Sequence, residues 1–438
     1  MSGDIGMNVA RQTARRQRIA IVGGGYYGCH LACVIKERFG DAADVTLFER
    51  AGGLFAGSSS KHQFRLHLGY HYPRSFATRT QIRRGFSEFK ARYPSFSRAF
   101  GNNVYAIGKR ASILDVETYT QIMDSHVEHQ PLVTDHLAAM EHARISEAEL
   151  ERRGFTNCSG ALECREEFLF VQEPRLYFQD RLRSLGVCVR LRTKVNGLHV
   201  RAPRQPTMRG PGTEGTEGME GMEDAEGAEG AESAKDQQHA LVNIDCGADG
   251  VHEADWALNC TYQAAFPSPN LSLFYEVCVS LVYRDVRPET AVSGDVMALT
   301  VMDGPFVSLY PYVQDEREWT RAPFTRRYTL TSVTHTPQAT YDDGERARQV
   351  MQQMQQRPAQ WLSRVRAEFE REITQFYPRF GTHFEYESFF VSCKTKIRDA
   401  TQSRECLVEQ QNERIVHVLS GKINTLFEAE AQVLDLLH

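Results

Sequence analysis

The sequence predicts an α/β fold that begins with a parallel sheet and continues with a mainly antiparallel one. A short apolar run at 18–22 ends in three glycines and precedes a stretch with the apolar spacing of a helix. A second apolar run follows at 45–48, and alternating apolar and polar segments recur between 273 and 333. This order of elements is typical of a parallel βαβ unit joined to an α+β region.

The composition is that of a globular protein and excludes several classes. The chain has 438 residues, 41% hydrophobic and 24% charged, enough for two or three structural units. Its net charge of −5 owes much to residues 214–232, so charge does not indicate nucleic-acid binding. No apolar run reaches the roughly 18 residues of a membrane-spanning helix. The ten cysteines include no CxxC pair, which argues against a metal site and for a reduced, cytoplasmic location.

Two segments are predicted to be disordered. Residues 1–17 form an arginine-rich leader without an apolar core, and organelle targeting is a weaker alternative interpretation. In residues 203–238 a Glu-Gly pair recurs every three residues, which indicates an acidic loop without a packed core. Strand-like segments on both sides place that loop at the tip of a hairpin, where insertions are tolerated.

The first strand ends in the segment Gly23–Gly28, which satisfies the pattern GxGxxG. Gly23 permits a tight turn, Gly25 lets the backbone approach a pyrophosphate, and Gly28 lets the helix pack against the strand. The first amides of that helix face the phosphates. Glu49 lies at the end of the second strand, 21 positions after Gly28, where an acidic residue binds ribose hydroxyls. The segment therefore predicts dinucleotide binding.

Four segments together resemble the D-amino acid oxidase-like (glycine/sarcosine oxidase) group of flavoproteins. In Val45–Arg50 and Phe55–Gln63, an acidic residue and a basic neighbour precede a small-residue loop, which in that group lies along the flavin phosphates. His62 and Gln63 depart from the Arg-Asn pair common there. Ala254–Thr261 is similar to the strand that closes the FAD domain, although Thr261 precedes tyrosine instead of glycine. His417–Asn424 is similar to the last strand and helix start near the flavin ring.

The resemblance implies a Rossmann-like FAD-binding domain of the glutathione-reductase type and a second, antiparallel-sheet α+β substrate domain. The FAD-binding parts are expected at 18–95, 161–265 and 395–438, and the substrate parts at 96–160 and 266–394. FAD is the expected cofactor. The residues expected to bind it are Gly23, Gly25, Tyr26, Tyr27, Gly28, Glu49, Arg50, Ser58, Ser59, Arg65, Val195, Asn259, Cys260, Thr261, Gly421, Lys422, Ile423 and Asn424.

The candidate catalytic residues are concentrated in the segment 64–74, which carries Arg65, His67, His71 and Arg74. If the segment is extended, Arg65, His67 and His71 point to one face. Basic groups bind a carboxylate or phosphate through charge-assisted hydrogen bonds, and histidine accepts a proton as hydride leaves the substrate. A second interpretation assigns these residues to the FAD pyrophosphate or to a salt-bridged loop. Covalent attachment of the flavin to His67 or His71 is a third and weaker one.

Two further segments have open interpretations. Residues 303–312 hold a turn and an aromatic strand, which either walls the substrate pocket or belongs to the core. A second basic group precedes the last strand and forms either a solvated face or a carboxylate clamp; its members are Lys394, Lys396, Arg398 and Arg404.

The sequence and the resemblance together predict an FAD-dependent oxidoreductase that abstracts hydride from a C–N or C–O carbon. The basic residues favour a small acidic substrate, such as an amino acid, an amine or a sugar derivative, with oxygen as one candidate electron acceptor. Two alternatives remain open at this point. One is a non-redox flavoprotein such as a nucleotide-sugar mutase, and the other is a non-catalytic dinucleotide-binding protein. The oligomeric state is not indicated.

Overall fold

The computed structural model describes residues 15–129, 142–201, 240–398 and 406–438. Most of the predicted leader and all of the predicted acidic loop lie outside the described residues, as does Arg404.

The described residues form twenty-one strands. In chain order they are β1 (Gln17–Val22), β2 (Ala43–Glu49), β3 (Arg65–Leu66), β4 (Ser97–Ala99), β5 (Asn103–Gly108), β6 (Ala143–Ser146), β7 (Cys158–Glu163), β8 (Glu167–Leu169), β9 (Cys188–Leu191), β10 (Gly197–Arg201), β11 (Leu241–Asp245), β12 (Val251–Ala254), β13 (Trp256–Asn259), β14 (Leu273–Asp285), β15 (Ala298–Met302), β16 (Val307–Pro311), β17 (Arg327–Ser332), β18 (Pro337–Tyr341), β19 (Phe384–Ile397), β20 (Leu407–Gln410) and β21 (Ile415–Leu419).

The same residues form eleven α-helices. They are α1 (Tyr26–Phe39), α2 (Phe76–Arg92), α3 (Val116–His129), α4 (Glu147–Arg152), α5 (Glu173–Ser184), α6 (Pro288–Ser293), α7 (Glu316–Thr320), α8 (Gly344–Gln356), α9 (Leu362–Phe376), α10 (Phe380–His383) and α11 (Leu426–Leu436). None of these helices combines the length and the apolarity needed to cross a bilayer.

The first sheet has the order β20-β21-β13-β1-β2-β9, with β1 at its centre. Its neighbours pair in parallel, and only β20 at the edge runs antiparallel to its partner. Strand β1 reads as a continuous apolar run because Ile19–Val22 is buried on both faces of the sheet. Helix α1 and the C-terminal helix α11 pack against each other over this sheet. The carboxyl ends of β1 and β2 therefore lie side by side, where ligands bind in such sheets.

The second sheet contains nine strands in the order β18-β14-β17-β16-β15-β5-β7-β6, with β19 also paired to β14. Its pairs are antiparallel except for β5 with β15, which run in parallel. The long pair β14–β19 spans the whole of Leu273–Asp285. The buried residues of α9 recur at helical spacing and pack on the same core, as their sequence pattern predicts. The predicted α/β fold with a second α+β region is confirmed.

Two small sheets connect the larger ones. In the sheet β10-β11-β12, Arg201 lies opposite Leu241, so the residues flanking the predicted acidic loop are antiparallel neighbours. The sheet β3-β8-β4 places Arg65 beside Phe168. Strands β6, β7, β18 and β20 were not predicted from the sequence. Of these, β6, β18 and β20 lie at sheet edges, where pairing with a neighbour outweighs weak local patterning.

Candidate active site

The turn after β1 is built so closely that only glycine fits it. Gly23 has a positive φ of +111°, and a Cβ atom there would lie 2.6 Å from the carbonyl oxygen of Cys260. A Cβ atom on Gly28 would lie 1.9 Å from the carbonyl oxygen of Gly23. Helix α1 is thus held directly against the ends of β1 and β13, and its first turn faces the carboxyl edge of the sheet.

The start of α1 fits a pyrophosphate. The helix begins after Gly25 with no side-chain cap from that residue and no acidic residue in its first turn. The Tyr26 amide donates instead to Ser59 Oγ at 3.1 Å, and a Cβ atom on Gly25 would lie 2.6 Å from that oxygen. Open backbone amides at the positive end of a helix bind phosphate oxygens. The residues present therefore suit the diphosphate of a dinucleotide.

Glu49 lies at the carboxyl end of β2, next to the glycine turn. Its Oε2 accepts the Gly24 amide and its Oε1 accepts the Ala51 amide, both at 2.8 Å. These contacts fix the half-buried carboxylate beside the turn, in the position expected for binding ribose hydroxyls. Arg50 follows as an exposed residue.

The loop after β2 is fixed by a neutral histidine. His62 Nε2 donates to the Ser59 carbonyl at 3.1 Å, and its Nδ1 accepts the Phe64 amide at 2.8 Å. Only a neutral imidazole can make both contacts. Burial lowers the pKa of His62 to about 4, in agreement with this assignment. Ser58 Oγ donates to the Cys393 carbonyl at 3.2 Å. The departure from the family pattern at His62 therefore has a structural role in holding the loop.

The segment after β13 makes its turn without glycine. Tyr262 and Gln263 adopt positive φ values of +61° and +57°. The buried Asn259 stabilises the turn, because its Nδ2 donates to the Phe266 carbonyl at 2.6 Å and its Oδ1 accepts the Thr261 hydroxyl at 2.6 Å. This is the altered turn that the sequence requires. The Cys260 amide donates to the Val22 carbonyl, which ties the segment to β1. Val195 is buried in the adjoining apolar cluster.

The C-terminal segment Gly421–Asn424 contacts both helix α1, which follows the glycine turn, and residues 64–74, which we call the histidine-rich segment. The Tyr27 hydroxyl donates to the Lys422 carbonyl at 2.6 Å. Asn424 Nδ2 donates to the His67 carbonyl at 3.0 Å and to a carbonyl of α2 at 3.1 Å. Helix α2 approaches so closely that a Cβ atom on Gly85 would lie 1.7 Å from the Asn424 carbonyl oxygen.

The histidine-rich segment folds back on itself. The extended conformation that would place Arg65, His67 and His71 on one face is therefore wrong. Only Arg65 and Leu66 form a strand, Gly69 has a φ of +105°, and the Tyr72 amide donates to the Gly69 carbonyl at 2.9 Å. A glycine turn therefore replaces the extended alternation. The turn at Gly69 still brings His67 and His71 together, because it reverses the direction of the chain between them.

Four side chains from this segment and the C-terminal segment form a group that we call the histidine cluster: His67, His71, Tyr72 and Lys422. The rings of His67 and His71 have centroids 5.8 Å apart, and the Tyr72 ring lies 5.6 Å and 5.2 Å from them. Lys422 Nζ lies 4.3 Å from the centroid of the Tyr72 ring. Lys422 is only 7% exposed, so its ammonium group acts in a largely desolvated site.

Arg65 does not join the histidine cluster. It is 4% exposed, and its guanidinium donates to Tyr105 at 2.7 Å, to Thr300 at 2.9 Å and to Ser308 at 2.8 Å. The guanidinium also lies 3.9 Å from the centroid of the Tyr310 ring. Burial lowers the pKa of Arg65, but the groups around it raise that pKa more, so the guanidinium stays charged. The donors of Arg65 are directed to protein groups. This arrangement favours the interpretation in which Arg65 holds its loop over the one in which it binds the substrate.

Arg74 also lies outside the histidine cluster. Its side chain is 64% exposed, and its Nε donates to Asp303 Oδ1 at 2.8 Å. The guanidinium therefore lies at the protein surface, although its partner carboxylate is buried, with 3% of the Asp303 side chain exposed.

The structure also places the aromatic segment 303–312 and the second basic group, whose interpretations the sequence leaves open. Residues 307–311 form the buried strand β16, which supplies Ser308 and Tyr310 to Arg65 and so belongs to the core behind the cluster. In the second basic group, Lys396 pairs with Glu276 at 2.6 Å and Arg398 pairs with Asp342. These partners favour a solvated face.

Two functional candidates, Tyr105 and Glu166, were missed from the sequence. Tyr105 lies within the apolar strand β5, and Glu166 belongs to a polar run between β7 and β8. Neither position carries a local signal, since each reaches the site through tertiary contacts alone.

Three features together define a dinucleotide-dependent enzyme fold. They are a glycine turn at the carboxyl end of a parallel sheet, an acidic residue on the next strand, and a cluster of titratable side chains nearby. Residues 18–229 match the family model described as FAD dependent oxidoreductase (DAO). The chain is an FAD-dependent oxidoreductase, and FAD is its cofactor. The predicted resemblance is confirmed, and the oxidoreductase class replaces the two alternatives, a non-redox mutase and a non-catalytic dinucleotide-binding protein.

The chain is similar to curated proteins along most of its length. It is 29% identical over 419 residues to the FAD-dependent monooxygenase FPY4 of Fusarium mangiferae, covering 96% of this chain and 90% of that protein. It is 24% identical over 436 residues to the FAD-dependent monooxygenase kojA of Aspergillus flavus, covering 98% and 87%.

Solved structures share the fold at low identity. NikD, an unusual amino acid oxidase essential for nikkomycin biosynthesis, superposes with a TM-score of 0.61 at 13% identity, covering 96% of this chain and 94% of NikD. The FAD-bound L-α-glycerophosphate oxidase of Mycoplasma pneumoniae gives a TM-score of 0.60 at 11% identity, covering 97% and 95%. These likenesses show a common fold.

Proposed function

We propose that the chain oxidises a small acidic substrate by removing a hydride from a carbon that bears nitrogen or oxygen and a proton from that nitrogen or oxygen. The histidine cluster carries this proposal, because it combines a proton acceptor and a desolvated cation beside the segment that contacts the glycine turn. The FAD-binding residues expected from the sequence, apart from Arg65, are part of the same proposal. So is the assignment of 96–160 and 266–394 to a substrate domain.

Bound FAD supplies the acceptor for the two electrons that leave the substrate. His67 accepts the substrate proton, since burial lowers the pKa of His67 and keeps the imidazole neutral at physiological pH. Lys422 attracts the anionic group of the substrate, because a charge acts more strongly in a desolvated site than in water. Tyr72 holds the Lys422 ammonium over its ring and separates it from the two imidazoles.

The cofactor part is tested by the visible absorption spectrum of the purified protein before and after acid precipitation. Flavin absorption released into the supernatant is the expected result and means non-covalent FAD. Colour retained in the pellet would indicate a covalent link and would direct attention to His67 and His71. A colourless protein that does not bind added FAD would contradict the assignment of the cofactor-binding residues.

The substrate part is tested by anaerobic bleaching of the flavin with panels of amino acids, amines and sugar acids. We expect acidic compounds to bleach it faster than their amides or esters. Lys422→Met should remove that preference, whereas the matched variant Lys394→Met, on an exposed position of β19, should retain it. Equal bleaching by acids and esters in the wild-type protein would contradict the acidic substrate.

A second candidate is monooxygenation, favoured by the names of the curated relatives, which are FAD-dependent monooxygenases. The two reactions differ in the fate of oxygen. Turnover under ¹⁸O₂ is expected to yield labelled hydrogen peroxide and unlabelled organic product if the chain is an oxidase. One labelled oxygen atom in the product, with consumption of an added reductant, would favour the monooxygenase.

A further inference from the structure

Glu166 is a buried carboxylate that the proposed function does not use. It is 0% exposed and lies in the connection between β7 and β8. Its Oε1 accepts the Leu68 amide at 2.7 Å, and its Oε2 accepts the Tyr105 hydroxyl. The same Oε1 lies 3.7 Å from His67 Nδ1, which is within ion-pair distance and longer than a hydrogen bond. A carboxylate is costly to bury, so its position next to a proposed proton acceptor calls for a compensating charge.

Arg65 supplies that charge through Tyr105. Its Nη1 donates to the Tyr105 hydroxyl, which in turn donates to Glu166, so one hydroxyl joins the buried cation to the buried anion. Burial raises the pKa of Glu166, but the N–H of His67, the charge of Arg65 and the Tyr105 hydroxyl together outweigh that effect and hold the pKa below its usual range. Glu166 is therefore ionised, and Arg65 acts as its counterion.

The geometry distinguishes the two nitrogens of His67. Nδ1 is buried and faces Glu166, whereas the side chain as a whole is 18% exposed. The exposed part of the ring therefore lies away from Nδ1. The backbone of His67 is held by Asn424, which limits movement of the ring relative to the C-terminal segment. A carboxylate facing one ring nitrogen favours the tautomer with the proton on that nitrogen.

We propose that Glu166 is the positioning residue of His67, holding its proton on Nδ1 so that Nε2 accepts the proton of the substrate. This inference rests on the proposed function, in which His67 is the proton acceptor. In the step, the N–H or O–H bond of the substrate breaks and a new N–H bond forms at Nε2. The neutral imidazole becomes an imidazolium, and Glu166 remains an anion that stabilises the new charge.

Several charged or titratable groups near His67 change the proton affinity of its imidazole. Glu166 raises it, while Arg65 and Lys422 lower it. The remaining titratable neighbours are His62, His71 and Tyr72. Only Glu166 supplies a negative charge among these described neighbours, so its replacement should have a larger effect on His67 than replacement of any of the neutral ones.

The test is ¹⁵N NMR of the FAD-loaded protein labelled at its fifteen histidines, with His67→Asn used to assign the His67 signal. In the wild-type protein we expect the Nδ1-protonated tautomer at neutral pH. Glu166→Gln should lower the pKa of His67 by about one unit, which is a tenfold loss of proton affinity. The matched control is Glu167→Gln, whose carboxylate is bound to Lys90 at 2.8 Å and Ser97 at 2.6 Å and should leave His67 unchanged.

An Nε2-protonated tautomer in the wild-type protein would overturn the inference, and so would an unchanged pKa of His67 in Glu166→Gln. If Glu166→Gln does not yield FAD-loaded protein, Glu166→Asp keeps the charge at a greater distance and should give a smaller decrease. The outcome is separable from the proposed function, because the NMR signal needs no substrate. If Glu166 controls His67 while His67→Asn still bleaches at the wild-type rate, the positioning stands and the assignment of the proton acceptor fails.

Discussion

The glycine turn and the histidine cluster are neighbours in the molecule but are built in different ways. The turn uses the backbone of one contiguous segment, and its fit depends on the absence of side chains at Gly23, Gly25 and Gly28. The cluster uses side chains from two distant parts of the chain, His67 to Tyr72 and Lys422, and is supported by Glu166 from a third. One site is defined by local conformation, and the other only by tertiary contacts.

This difference predicts different responses to substitution. A side chain added to the turn collides with fixed backbone or with Ser59, so the effect falls on cofactor binding. A side chain removed from behind the cluster leaves buried charges without partners, so the effect falls on stability or on proton transfer. The substitutions below test this separation.

Gly25→Val should have the largest effect on cofactor binding, because the added carbons collide with Ser59 Oγ at the start of α1. We expect FAD affinity to fall at least about 100-fold, or roughly 2.7 kcal/mol, measured by flavin fluorescence on dilution. Gly53→Ala is the control, since no atom lies within 4 Å of its added Cβ. Full FAD retention in Gly25→Val would show that the phosphates do not lie at this turn.

Arg65→Ala should mainly reduce stability. It removes three hydrogen bonds and the cation that is joined to Glu166 through the Tyr105 hydroxyl, and a buried charge left without its compensating charge costs about 3–5 kcal/mol. Urea unfolding of the FAD-free protein measures the loss, with the exposed Arg84→Ala as the matched control. A normally stable Arg65→Ala protein with an increased Michaelis constant would instead support direct substrate binding by Arg65.

Acid should weaken the loop that Ser59 and His62 hold. Since the pKa of His62 is about 4 in the folded protein and about 6.5 when unfolded, only the unfolded chain binds this proton between those values. The free energy of unfolding should therefore fall as the pH decreases from about 6.5 to 4, by roughly 1–3 kcal/mol from this group. Urea unfolding across that range should show a shallower decrease for His62→Gln. Identical slopes in the two proteins would contradict a buried neutral His62.

Arg74→Ala should have the smallest effect, about 1 kcal/mol, because solvent screens its largely exposed guanidinium even though the Asp303 carboxylate is buried. Flavin bleaching by substrate and the midpoint of urea unfolding should both stay close to the wild-type values. A large loss of bleaching with normal FAD content would return Arg74 to the catalytic group that the sequence proposes.

The sequence was most informative where a function depends on consecutive residues. Helix α1, Tyr26–Phe39, follows the glycine run, as the apolar spacing of that stretch predicts. The sequence also predicts the positions of the glycine turn, of the acidic residue Glu49 at the end of β2, and of the last strand. The different surroundings of Arg65 and Arg74 could not be predicted, because both belong to one basic segment and only the tertiary structure buries one and exposes the other.

The sequence by itself therefore determined the dinucleotide fold, since glycine spacing and apolar periodicity act on the local backbone. Only the tertiary structure decided which titratable groups meet. Gly69 turns the histidine-rich segment back on itself, and Asn424 attaches it to the C-terminal segment. Glu166 and Tyr105 reach His67 and Arg65 from strands and loops far away in the chain. Such contacts depend on how sheets pack, and no short sequence window contains that information.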